Sequence, residues 1–184
     1  MKADITQTLV EEHRLILRVI ALLEKNAPRT AKGVYRNWQF YLDGVDFIRN
    51  YADRFHHAKE EDVLFESLVT NGMPRENSPI AAMLMEHDQG RAYVKAMESA
   101  ARDALSGKPG CEQIIAENAL AYAELLREHI AKEDSILYPL AERVIPDTMR
   151  DGIIAGYNAA ELKTPPDFTA RYETLVVQYE NEVH

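Results

Sequence analysis

The sequence predicts an all-α fold, an up-down-up-down antiparallel four-helix bundle with additional C-terminal helices. Residues that favour helices, chiefly Leu, Ala, Glu, Arg and Met, dominate the chain of 184 residues, and the two-residue alternation typical of β-strands is hard to find. Gly and Pro are concentrated at a few points that separate four long segments. Because the connections between these segments are short, we expect consecutive helices to pack as antiparallel neighbours.

The first two helices are indicated by apolar periodicity and by the breaks that end it. The first is predicted from about Asp4 to Lys25, and the segment NAPRT ends it. Its apolar residues form one stripe, namely Ile5, Leu9, Ile16, Ile20 and Leu23. The second is predicted from about Lys32 to Val69 and ends at NGMPRENSP. It is much longer than the first, so we expect it to bend or to start late.

The third helix has a clear start signal. Ser78 followed by Pro79 is typical of an N-cap and a first helical position, and SGKPG ends this helix near Leu105. The fourth helix starts at residue 111 or 112 and runs to about Val144.

Beyond Pro146 the chain predicts two further helices separated by KTPPD. The last of them has one apolar face, formed by Phe168, Tyr172, Leu175, Val176 and Tyr179. We therefore expect a bundle over residues 1–146 and a helical extension over residues 147–184, packed on the bundle or on a partner subunit.

Composition excludes several classes of protein. No apolar run approaches the roughly 20 residues that span a bilayer, and the N-terminus has no signal-peptide pattern, so a cytoplasmic protein is expected. The single cysteine, Cys111, agrees with a reducing compartment. A formal net charge of −9 argues against nucleic acid and anionic lipid as partners.

A repeat appears once the histidines are placed. EEHRLIL contains His13 and MEHDQGR contains His87, each early in a helix. HHAKEEDVLF contains His56 and EHIAKEDSILYP contains His129, each late in the next helix, at intervals of 43 and 42 residues. Aligning the two later segments also pairs Lys59 with Lys132, Glu60 with Glu133 and Phe65 with Tyr138. The chain therefore contains two copies of one helical hairpin.

The phase of the helix predicts which of these side chains face the core. At about 100° per residue, His56 and Glu60 share a mostly apolar face, whereas His57 and Glu61 share a polar one. We therefore expect His56 and Glu60 to point inward and the other two to face solvent. By the same test His129 and Glu133 point inward with Tyr122, His87 does so with Arg91, and Asp134 falls off the stripe.

Four inward histidines and two inward glutamates predict a metal site. Buried carboxylates are costly unless they are paired or bound to metal, and only Arg49 and Arg91 are candidate partners for Glu60 and Glu133. A purely structural polar network is the alternative. Imidazole and carboxylate ligands without thiolate suit iron, manganese or zinc. Six ligands are too many for one ion with an open position, so two ions bridged by both carboxylates are favoured.

These motifs resemble the hemerythrin-like family, also called the HHE cation-binding domain, over about Ile5 to Pro146. HHAKEEDVLF and HIAKEDSILYP agree with the family in motif, order and interval. The resemblance implies two non-haem iron ions inside a four-helix bundle, with carboxylate bridges and room for a bridging oxo or hydroxo group. Its ligands would be His13 and His56 for one iron, His87 and His129 for the other, and Glu60 and Glu133 as bridges.

The sequence departs from the oxygen-carrying hemerythrins at one position. Those proteins have a fifth histidine where this chain has Arg91, and they use an aspartate that corresponds to Asp134, although the repeat favours Glu133 here. The pattern resembles the four-histidine, two-glutamate variants linked to nitric oxide responses and iron–sulphur cluster repair. The repair proteins also have a cysteine-bearing N-terminal domain, which we do not expect ahead of His13.

Three functions are compatible with these residues. The first is a module that binds or senses oxygen, nitric oxide or peroxide. The second is a di-iron redox enzyme in nitric oxide or peroxide detoxification or in cluster repair, and the third is an interaction protein whose polar core holds no metal. Arg91, Tyr122 and Arg49 are expected beside the ligands or in a ligand pocket. Arg91 would pair with a bridging carboxylate or attract an anionic ligand, the alternative being that it extends to solvent.

Overall fold

A computed structural model describes residues 2–182 of the chain. These residues form six helices and no strand, which confirms the predicted fold class. The helices are α1 (Gln7–Ala31), α2 (residues 38–70), α3 (Pro79–Leu105), α4 (residues 112–144), α5 (Asp147–Glu161) and α6 (Phe168–Glu180). Helices α1 to α4 form the bundle, in which α4 packs against both α1 and α3, and α3 also packs against α2.

Two of the long helices contain wide, π-helical turns. In α2 these are Ile48–His57 and Glu60–Leu64, and in α4 the turn is Glu133–Leu137. A π-helical turn bonds residue i to residue i+5 instead of i+4, so it rotates every following side chain relative to a uniform α-helix. The predicted ligands of α2 and α4 lie in or next to these turns.

The ends of the helices differ from the sequence prediction at two places. Helix α1 was predicted to end near Lys25, but it continues through Pro28 to Ala31. Pro28 lies in the last turn, where its missing N–H removes only one hydrogen bond, and Ala27 and Thr30 remain buried beside it. Helix α2 starts late, at Trp38, where Asn37 accepts a hydrogen bond from the Phe40 amide at 3.2 Å.

Helix α3 starts as predicted. The Ser78 hydroxyl oxygen accepts a hydrogen bond from the Ala81 amide, and Pro79 occupies the first helical position.

Apolar side chains fill the bundle in two separate clusters. One includes Ile20, Met97 and Ala119, and the other includes Leu9 and Leu137. The polar residues described below lie between these clusters along the bundle axis. The histidines are therefore enclosed by apolar layers on both sides.

The two C-terminal helices pack on the bundle of the same chain. From α6, Tyr172 and Tyr179 are buried in the first cluster, and the Tyr172 hydroxyl donates to Asp46 Oδ2 at 2.8 Å. From α5, Ile153 and Tyr157 are buried in the second cluster. Within residues 2–182, no helix combines the length and the apolar character needed to cross a membrane.

Candidate metal centre

Four histidines, one from each bundle helix, meet in the polar layer between the apolar clusters. These are His13, His56, His87 and His129, and none is more than 2% exposed. Glu60 and Glu133 lie among them with no exposed surface. The structure thus brings together all six residues that the sequence predicts as metal ligands.

The histidines form two close pairs. His13 Nε2 lies 3.0 Å from His56 Nε2, and His87 Nε2 lies 3.0 Å from His129 Nε2. Each pair comes from one copy of the repeat. We call the first pair and its surroundings the first half of the centre, and the second pair and its surroundings the second half.

Both glutamates contact both halves. Glu133 Oε2 lies 3.3 Å from His13 Nε2, and Glu133 Oε1 lies 3.1 Å from His129 Nε2. Glu60 Oε2 lies 3.7 Å from His56 Nε2 and 3.6 Å from His87 Nε2. Such positions suit carboxylates that bridge two ions, as inward-facing glutamates do in other metal-binding bundles.

On its outer side, every one of these imidazoles meets a carboxylate. The Nδ1 contacts are His13 with Asp134 at 2.9 Å, His56 with Glu12 at 2.8 Å, His87 with Glu61 at 2.7 Å and His129 with Glu86 at 2.8 Å. A carboxylate accepts hydrogen bonds, so each Nδ1 carries a proton, and Nε2 is the nitrogen left to present a lone pair to a bound ion. Carboxylates orient metal-binding histidines in the same way in known metal sites.

These four outer carboxylates were not predicted as partners of the histidines, although the repeat contained a signal for them. Each one is adjacent in sequence to a predicted ligand, in Glu12-His13, Glu60-Glu61, Glu86-His87 and Glu133-Asp134. The prediction that Glu61 faces solvent was wrong, because this side chain is half-buried and its carboxylate contacts His87 Nδ1.

Two lysines of the repeat hold two of these carboxylates. Lys59 pairs with Glu12 and Lys132 pairs with Glu86. Lys59 is completely buried and also pairs with Glu161 at 2.8 Å, whereas Lys132 is 39% exposed. The two halves are thus alike in chemistry but differ in how deeply they are covered.

The prediction that His57 faces solvent is wrong. His57 is buried, and its ring stacks on His87 with centroids 3.7 Å apart and planes 12° from parallel. The reason is the wide turn Ile48–His57, which rotates the end of α2 away from the uniform phase that the prediction assumed.

The position of His57 gives it a different relation to the centre from that of His87. A ligand atom of His57 lies within 4.8 Å of those of Glu60, His87 and His129, so this group of four could hold an ion. However, a metal lies in the plane of an imidazole that binds it, and two nearly parallel stacked planes do not meet at a common ion. His57 as placed therefore packs against His87 and cannot share an ion with it.

Tyr138 distinguishes the first half of the centre from the second. Its hydroxyl donates to Glu60 Oε1 at 2.6 Å, and its ring stacks on His13. The repeat places Phe65 at the equivalent position of the second half, stacked on His87 without a hydroxyl. Tyr138 is a functional candidate that the repeat alignment paired but did not assign.

Arg91 and Arg49 do not pair with the bridging carboxylates. Arg91 donates to Asp53 Oδ1 at 2.7 Å, to Glu61 Oε1 at 2.9 Å and to Asp88, while Arg49 pairs with Glu98. The expected pairing of Arg91 with a bridging glutamate is therefore wrong, because nearer carboxylates occupy its guanidinium. Both arginines and Tyr122 do line a cavity of about 210 Å³ beside His87.

The charges of the centre fit cations. Burial alone would lower the pKa of His13, but the Asp134 and Glu133 carboxylates raise it to about 9. Burial and then the adjacent Glu133 raise the pKa of Glu60 well above its usual range. Burial and then His13 lower the pKa of His56 well below its own. These groups therefore compete for protons that a bound cation would replace.

The unpaired atoms of the centre point to the same conclusion. Glu60 Oε2 and both carboxylate oxygens of Glu133 are buried without a hydrogen-bond donor among the residues that the structure describes. Two Nε2 lone pairs only 3.0 Å apart also repel each other unless a proton or a cation lies between them. A cation in each half would satisfy every one of these atoms, so the residues present fit a two-metal centre.

Comparison with known proteins agrees with this geometry. A model of the hemerythrin HHE cation-binding domain matches residues 4–141. Curated relatives include "Uncharacterized protein Mb2018" of Mycobacterium bovis and "Uncharacterized protein Rv1995" of Mycobacterium tuberculosis. Each is 19% identical over 139 residues, which cover 76% of this chain and 54% of the relative. The chain thus spans about half the length of the curated relatives it matches.

No solved structure matches the chain significantly. The family match covers the four-helix bundle except for the last three residues of α4, and it includes both halves of the centre. The buried histidine and glutamate groups that could hold metal lie inside the matched region. The chain therefore belongs to the hemerythrin family of HHE cation-binding domains.

Proposed function

We propose that this protein holds two non-haem iron ions and binds or senses a small ligand there, namely oxygen, nitric oxide or peroxide. His13 and His56 would hold one iron and His87 and His129 the other, with Glu60 and Glu133 as bridges. The observation that supports this most strongly is the pair of Nε2–Nε2 contacts at 3.0 Å. In each pair, outer carboxylates accept hydrogen bonds from the Nδ1 atoms of both histidines. Glu60 and Glu133 each lie close to both pairs.

The donor set is compatible with iron as the metal. Imidazole and carboxylate ligands suit iron, and thiolate is absent from the centre because Cys111 lies at the start of α4 and contacts the Lys108 carbonyl. Two bound irons would supply the electrons and the open coordination positions for a small ligand. The chain itself keeps water out through its apolar layers and fixes the orientation of each imidazole.

Metal analysis of the full chain tests this proposal. Protein from iron-fed cells should contain about two irons per chain. His56→Ala, His129→Ala and Glu60→Ala should lose metal and stability together, because bound metal contributes folding free energy. Glu128→Ala, an exposed residue next to His129, is the matched control and should keep both irons. A single tightly held zinc, or no metal, would contradict the proposal.

One observation favours an alternative, a di-iron redox enzyme acting on nitric oxide or peroxide or in iron–sulphur cluster repair. The Tyr138 hydroxyl oxygen lies 2.6 Å from Glu60 Oε1 and so holds a buried proton beside the centre, and reduction of these molecules consumes protons. Sustained turnover of peroxide or nitric oxide with an electron donor would favour the enzyme. Stoichiometric binding without turnover would favour the binding module.

A further inference from the structure

The two halves of the centre are covered to different extents. In the first half, α5 lies directly on α2, where a β-carbon on Gly156 would be only 2.9 Å from Val63 Cγ1. The repeat equivalent of Val63 is Ile136, which is 59% exposed. The C-terminal extension therefore closes the outer side of the first half and leaves the equivalent surface of the second half open.

The second half also has a cavity at its inner edge. This cavity, of about 210 Å³, reaches His87 and His57 and has apolar walls from Ile48, Val94 and Leu126. A cavity of about 150 Å³ is enough to admit benzene, so this volume easily admits a molecule of two or three heavy atoms.

A glycine makes part of this space. Gly90, one residue before Arg91, lines the cavity. The repeat places Ile16 at the equivalent position of the first half, where its side chain is buried in the core. This position is thus filled by the Ile16 side chain in the first half, whereas Gly90 leaves it without a side chain in the second half.

Two buried polar atoms on the cavity wall have no hydrogen-bond partner within residues 2–182. They are the Tyr122 hydroxyl oxygen and His57 Nδ1, and the latter has only a long contact of 3.5 Å with Asp53 Oδ1. A buried polar group without a partner is costly, so these atoms are candidates to bind an occupant of the cavity. Burial raises the pKa of Tyr122, so this hydroxyl keeps its proton and can donate it.

We propose that this cavity is the ligand site of the centre, and that a small hydrogen-bond acceptor binds there beside His87, held by Tyr122 and His57. The inference rests on the proposed function and assigns the ligand to the second half. The first half has a cavity of about 430 Å³ beside Glu12 and Phe55, but none of the six predicted ligands lines it. Arg91 and Arg49 lie on the cavity wall, but each is paired with a carboxylate, and Lys95 also lines the cavity.

Azide titration of the iron-loaded full chain, followed by its optical spectrum, tests this assignment. Tyr122→Phe removes one hydroxyl and keeps the ring. It should keep both irons and weaken azide affinity roughly threefold to tenfold, the effect of one hydrogen bond. Gly90→Ile, which copies the first half, should keep iron and reduce azide binding further by filling the cavity.

Tyr157→Phe is the matched control. Its hydroxyl is also buried without a hydrogen-bond partner in the described part of the chain, but Tyr157 belongs to α5, which covers the first half. It should leave azide affinity unchanged. If Tyr157→Phe weakens azide and Tyr122→Phe does not, the ligand site lies in the first half and the assignment is wrong. Unchanged affinity in both variants would mean that the cavity holds only water, which also overturns it.

Failure of the assignment is distinguishable from failure of the proposed function. Iron content is measured on the wild-type chain before azide is added. A chain without iron contradicts the proposed function, whereas an iron-loaded chain with normal azide binding in Tyr122→Phe contradicts only the location of the ligand. If Gly90→Ile does not fold, the two tyrosine variants still decide the question.

Discussion

At the scale of single residues, the orientation of each imidazole depends on an acidic neighbour. Each Nδ1 lies 2.7–2.9 Å from a carboxylate that is itself adjacent in sequence to a ligand. One dipeptide therefore supplies both a ligand for one ion and the support for another histidine. This explains why the Glu-His and Lys-Glu-acid patterns occur in both copies of the repeat.

Glu86→Ala tests the outer carboxylates. His129 would lose the acceptor of its Nδ1 proton, and metal affinity should fall by about 10–100-fold while all six ligands remain. Competition of a chelator for the bound metal measures the change. Glu128→Ala removes an exposed carboxylate from α4, next to His129, and should have no effect. Equal affinity in both variants would show that Glu86 does not support the metal.

His57→Ala tests the assignment of His57 to the cavity wall instead of to an ion. The variant should keep both irons, whereas His56→Ala should not. Loss of the stacked ring should lower the free energy of unfolding by about 1–3 kcal/mol, which chemical denaturation measures. Equal loss of metal from the two variants would make His57 a ligand.

At the scale of elements, the wide turns limited what could be predicted. The spacing of His56 and Glu60 and of His129 and Glu133 was enough to place all four inward, because residues four apart lie on the same face of a helix. The burial of His57 and the reach of Glu61 were not predictable from a uniform phase. Both depend on i→i+5 turns, for which the sequence has no clear local marker.

Helix α6 provides the prediction at this scale. It buries Tyr172, Val176 and Tyr179 against the bundle, and Arg18 pairs with Glu180. Truncation after Pro165 should lower the free energy of unfolding by on the order of 5 kcal/mol, because three large side chains lose their burial and the groove beneath becomes exposed. A thermal melt should show the loss as a lower melting temperature. Leu162→Ala, at a residue that is 86% exposed, is the control. An unchanged melting temperature and oligomeric state would contradict this role.

At the scale of the whole molecule, a repeated hairpin has become asymmetric. The fold, the repeat and six inward residues follow from helical periodicity and from the spacing of His and Glu. The asymmetry does not follow from these patterns, because it depends on where α5 packs and on the absence of a side chain at Gly90. Contacts between segments that are distant in the sequence cannot be predicted from local patterns.

The central claim is that the chain holds two metal ions between the two histidine pairs. Anomalous X-ray scattering at the iron absorption edge, from crystals of the iron-loaded chain, tests it most directly. Two peaks are expected, one between His13 and His56 and one between His87 and His129, with Glu60 or Glu133 next to both. A single peak, no peak, or an iron bound by His57 in place of His87 would contradict the account.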